Sequence, residues 1–137
     1  MENSLKRSTV VIILVMLLLG ILFPFAALSQ LSGDYTNVFN YVFNSLLAHI
    51  LMHMALFGGL AWIVMSFTSR QPMWRMVLWC LGSVLLVGTL QEVIQMVSVD
   101  VYNVGASLFD LGIDLAGGAI PLLIKGLVSR FSVSRQG

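Results

Sequence analysis

Seven residues in this chain have types and spacings suited to chemistry. His49 and His53 lie one helical turn apart, as do Asp110 and Asp114, and Gln91, Glu92 and Gln95 form a third set. All three sets fall within or at the edge of long apolar runs. A carboxylate at mid-bilayer costs about 2.5–3.5 kcal/mol on insertion scales. Two on one helix face therefore predict a protein interior, partners or water rather than lipid. The i, i+3 and i, i+4 spacings place each set largely on one face of its helix.

Three chemistries suit these residues. The cluster can hydrogen-bond a polar headgroup, sugar or antibiotic entering from the membrane surface. Histidine and glutamate in a low dielectric can act as a general acid–base pair. A divalent metal is the least favoured, because histidines at i, i+4 often occur without one; its candidate ligands are His49, His53 and Glu92, since imidazole and carboxylate suit zinc, iron or manganese. Each residue also has a plainer role. A lone histidine on an apolar helix is usually packed or snorkelling, Glu92 can reach headgroups, and Asp110 can favour a helix N-terminus. Asp114, a turn deeper, is harder to explain that way. The chain has no phosphate loop, dinucleotide glycine pattern, serine-nucleophile motif or haem-attachment motif. No nucleophile–base pair is recognisable, so a catalytic role is not expected.

The elements that must position these residues follow from composition. The chain has 137 residues, 58% hydrophobic and only 9% charged, with a mean hydropathy of +0.96. Soluble domains carry about 25% charged residues, so the expectation is a single all-α integral-membrane domain over 1–137. Four apolar segments, at about 9–28, 42–67, 74–97 and 108–131, predict a small four-helix transmembrane bundle. The first has basic residues before it and Ala-Leu-Ser after it, like a signal peptide. Its apolar run exceeds the ~7–15 residues of a signal core, so it reads as an uncleaved span. The single Cys80 permits no intramolecular disulfide and reads as a small packing residue.

Charge sets the expected orientation. Lys6, Arg7, Arg70, Arg75, Lys125, Arg130 and Arg135 all fall on one side of the four segments. The other side has no basic residue, and its loops, 29–40 and 98–106, carry Asp34 and Asp100. The positive-inside rule then predicts both termini in the cytoplasm. Asn103 and Gly105 are turn signals in the second outer loop. Short loops predict antiparallel neighbours in an up-down bundle. Gly58, Gly59, Gly82, Gly88, Gly117 and Gly118 are expected to let helices approach closely. At ~1.5 Å rise per residue, the three polar sets come to a similar depth in the outer leaflet.

At these residues the chain resembles the VanZ-like family of small bacterial membrane proteins. His53 with Phe57 matches the family's histidine and following aromatic, and Glu92 with Gln95 matches its acid-x-x-Gln. Ser107, Asp110, Asp114 and Gly117 match its Ser, Asp, Asn and Gly spacing beyond an outer loop. The similarity covers about 46–121. His49-Ile50 replaces the usual Asp-Lys, Val104 stands where the outer-loop arginine is expected, Asp114 replaces asparagine and Pro121 a second glycine.

The resemblance implies a protein of the bacterial cytoplasmic membrane, in a family associated with resistance to the glycopeptide teicoplanin. An outer-leaflet polar pocket is compatible with handling a lipid-linked cell-wall precursor or a lipid-tailed glycopeptide; without the arginine, an anionic ligand is disfavoured. The alternative is an accessory subunit of a larger respiratory or photosynthetic complex, with His49 or His53 ligating a haem or pigment. Phe39, Tyr41, Phe43, Trp74 and Trp79 would then offer surface to other membrane subunits, although an ordinary aromatic belt is the simpler reading. A net charge of +1 gives no basis for nucleic-acid binding.

Overall fold

The computed structural model describes residues 2–24, 33, 37, 41, 45–100 and 102–134. The helices it describes are α1 (Glu2–Leu22), α2 (Leu46–Thr68), α3 (Met73–Val99) and α4 (Val104–Ser134), with no strand among the described residues. The protein is therefore an all-α bundle. Helices α2, α3 and α4 are each long and apolar enough to cross a membrane. The apolar part of α1, Ser8–Leu22, is shorter than a full span, and the expected continuation over 25–28 lies outside the described residues. So do Phe39, Phe43 and all but two residues of the expected loop 29–40.

Local chemistry explains the helix ends. Ser45 adopts an extended conformation and its Oγ accepts from Ala48 N at 3.0 Å, capping α2 four residues later than hydropathy placed the segment. Pro72 precedes α3 with φ −60° and ψ 150°, a geometry that forces the tight connection from α2. Asp100 ends α3 in the left-handed region (φ 52°), which short polar side chains tolerate better than most. Asn103 then caps α4, its Oδ1 accepting from Ala106 N at 3.1 Å. The helix thus starts at Val104, so Gly105 lies inside α4 and the expected loop 98–106 shrinks to a few residues.

The dominant interface joins α2 to α4, with α3 packed against both and α1 more lightly attached to α2 and α3. His49 pairs with Asp110 and His53 with Asp114 at the same sequence offset. The two helices therefore run parallel, as the second and fourth members of an up-down bundle must. Phe57, Leu60, Ala61, Met76, Cys80 and Val84 fill the core at 2% exposure or less. Leu51, Trp62, Leu78, Trp79, Leu86 and Leu90 point outward, away from it. Lipid is as apolar as leucine, so close packing and polar contacts hold such helices together.

Glycines make the α2–α4 contact possible. A Cβ on Gly117 would lie 2.6 Å from Met54 Cα and from its carbonyl oxygen. One on Gly58 would lie 3.2 Å from Gly117 O. That carbonyl is four residues before Pro121, which has no N–H to offer it. Backbone against backbone is the result. Gly118 gives similar room to Val84 of α3. Gly82 faces open space and Gly59 makes only an ordinary contact with Leu17, so these two are not close-approach positions as expected.

Candidate functional site

The polar cluster sits at the end of the bundle formed by the start of α2, the end of α3 and the start of α4. Arg70 and Arg75 lie at the opposite end, flanking the α2–α3 turn, and Lys125 donates to Met76 Sδ at 3.1 Å well away from the cluster. One-turn spacing on two parallel helices produces two stacked His–Asp pairs.

In the outer pair, His49 Nε2 donates to Asp110 Oδ1 at 2.8 Å, with the imidazole 36% and the carboxylate 14% exposed. In the inner pair, His53 Nδ1 donates to Asp114 Oδ1 at 2.7 Å, with both groups buried. The imidazole rings lie 4.4 Å apart between centroids. Below them, Phe57 stacks on His53 at 6.2 Å and 24°. The deeper histidine is thus held by an aromatic ring on one side and a carboxylate on the other.

Helix α3 closes the third side. Glu92 is buried and lies within electrostatic reach of His53, Asp110 and Asp114, beside Ser107. Gln91 is buried next to it, and Gln95 is half-buried one turn on without a hydrogen bond to either pair. Three buried oxygens lack a hydrogen-bond partner: Gln91 Oε1, Glu92 Oε1 and Asp114 Oδ2. A buried polar atom without a partner costs about 1–3 kcal/mol, more when charged. These atoms mark the place where a ligand would gain most.

Six of the seven residues singled out in the sequence therefore gather at one end of the fold, with Gln95 at the margin. Two residues outside those seven also belong to the site: Gly88, expected only as a close-approach glycine, and Ser107, singled out only by the family resemblance. Gly88 makes room for the inner pair, since a Cβ there would lie 2.8 Å from Asp114 Oδ2 and 3.0 Å from Leu111 Cδ2. Its signal was its place one turn before Glu92, on the same face of α3. Ser107 is buried beside Glu92 although it stands in the first turn of α4. Helix α4 begins earlier than expected, and that early start turns the serine inward.

For a divalent metal, the least favoured of the three chemistries, the candidate ligands read from the sequence are His49, His53 and Glu92. The ligating atoms of His49, His53 and Asp110 instead lie within 4.8 Å of one another. Asp110 replaces Glu92 because it approaches from α4 in register with His49. A groove of about 480 Å³ between α2 and α4 is apolar and lies elsewhere on the seam. It is lined by Leu51, Met54, Trp62 and Ile120 among others, and by no member of the cluster. No family model, no curated protein and no solved structure matches this chain.

Proposed function

We propose that the chain is a multi-pass protein of the bacterial cytoplasmic membrane, VanZ-like in its motifs, with both termini in the cytoplasm. Its outward cluster binds the polar head of an amphipathic molecule, a lipid-linked cell-wall precursor or a lipid-tailed glycopeptide. Binding is the role that the unpartnered acceptors of the cluster support.

One observation carries this reading. Gln91 Oε1, Glu92 Oε1 and Asp114 Oδ2 are buried acceptors without donors, so the complementary ligand brings donors. Sugar hydroxyls, peptide amides and ammonium groups do so. A bare phosphate does not, and the cluster contains no lysine or arginine to meet one. The recognised part of the ligand is then its sugar or peptide, not a pyrophosphate link.

The test is binding of teicoplanin to the full chain in lipid nanodiscs. Wild type should bind, while Glu92→Ala and Asp114→Ala should lose binding with helix content and monodispersity retained. Undiminished binding by the folded double variant would refute the reading. Purification in mild detergent addresses the alternative, because an accessory subunit would come away with its partner chains.

A further inference from the structure

The geometry points to a divalent-metal site formed by His49, His53 and Asp110, with Asp114 orienting His53. It goes beyond the binding of an amphiphile and stands without it.

Charge is the first argument. Glu92, Asp110 and Asp114 lie close together with two imidazoles, and every lysine and arginine in the sequence belongs to the other end of the segments. Burying a carboxylate without a compensating cation costs several kcal/mol per ion. A bound metal ion supplies that charge and is often the largest one in such a site.

Geometry is the second. The candidate ligand atoms already lie within 4.8 Å of one another. Zinc takes histidine nitrogen and carboxylate oxygen at about 2.0–2.2 Å, which sets tetrahedral ligand atoms roughly 3.3 Å apart. The His49 Nε2 to Asp110 Oδ1 distance of 2.8 Å needs only a small opening to admit the ion. His49 is the more exposed imidazole and has room to make it.

The environment of His53 is the third. A metal-bound histidine nearly always donates its other ring N–H to a carboxylate, which fixes the tautomer. His53 Nδ1 already donates to the fully buried Asp114, leaving Nε2 as the ligand atom. Asp114 Oδ2 and Glu92 Oε1, both buried and unpartnered, add negative potential around the site. Two imidazoles and one carboxylate leave a coordination position open for water or a ligand group, as in catalytic rather than structural zinc sites.

The experiment uses the full chain in detergent, stripped with chelator, then equilibrated with Zn²⁺ or Co²⁺ alone. Elemental analysis after gel filtration should find zinc stoichiometric with protein, and Co²⁺ should give a visible d–d spectrum. His53→Ala, His49→Ala and Asp110→Asn should each abolish stoichiometric zinc. Asp114→Asn should weaken it about 10–100-fold, the usual effect of losing an outer-shell partner. Ser66→Ala, at the far end of α2, serves as the control and should match wild type. X-ray absorption on zinc-loaded wild type needs no variant and should show two imidazoles and an oxygen ligand. Failure of folded wild type to retain zinc, retention by His53→Ala, or sulfur in the coordination sphere from Cys80 would each overturn the assignment. Teicoplanin binding without zinc binding would overturn the metal site alone, and the reverse would overturn only the amphiphile reading.

Discussion

His53 Nδ1 lies 2.7 Å from Asp114 Oδ1, and the two side chains are 9% and 1% exposed. They join α2 to α4 at the point where the backbones are about to meet at Met54 and Gly117. A hydrogen bond here has no water to compete with it. The pair one turn outward, His49 with Asp110, is similar in length but far more open. Burial, not distance, separates them.

A double-mutant cycle on each pair should expose that difference. In chelator-treated protein unfolded by SDS titration, His53→Ala and Asp114→Ala should show a coupling of about 1–2 kcal/mol, near the upper end for interhelical membrane pairs. The outer pair should couple by less than about 0.5 kcal/mol, as exposed ion pairs do. Equal couplings would contradict the burial argument.

Gly88 should behave as part of the inner pair. Gly88→Ala places a methyl 2.8 Å from Asp114 Oδ2, and overpacking of this kind costs about 1–3 kcal/mol. In an Asp114→Ala background the carboxylate is gone, and most of the penalty should disappear. A Gly88→Ala penalty that is the same in both backgrounds would place the clash elsewhere, at Leu111.

Gly117→Ala should be the more damaging glycine substitution. Its new methyl would meet Met54 backbone at 2.6 Å, and backbone cannot rotate away as a side chain can. A loss of about 3 kcal/mol or failure to assemble is expected, against little change for Gly82→Ala, whose Cβ would meet nothing within 4 Å. Thermal stability in detergent measures both.

Orientation is testable with cysteine labelling, starting from Cys80→Ala, which removes the one native thiol. Gln71→Cys, in the α2–α3 turn, should react with an impermeant maleimide only after cells are permeabilised. Tyr102→Cys, in the α3–α4 link, should react in intact cells. Tyr102 is 70% exposed, so access does not limit the reaction. The opposite pattern would reverse the topology.

Hydropathy and one-turn spacing alone were enough to place α2, α3 and α4 and to single out His49, His53, Gln91, Glu92, Asp110 and Asp114. Those signals are local: twenty apolar residues mark a span, and i, i+4 marks a face. Partnership was not local. Nothing in the residues joins His53 to Asp114 rather than to Glu92, because that choice depends on the rotation and depth of parallel helices sixty residues apart. The cap at Asn103 starts α4 at Val104, earlier than hydropathy suggested, and Gly117 draws that helix onto Met54. Those two backbone events put α4's aspartates in register with α2's histidines, which is why only tertiary packing decided that Asp110, and not Glu92, completes the histidine set.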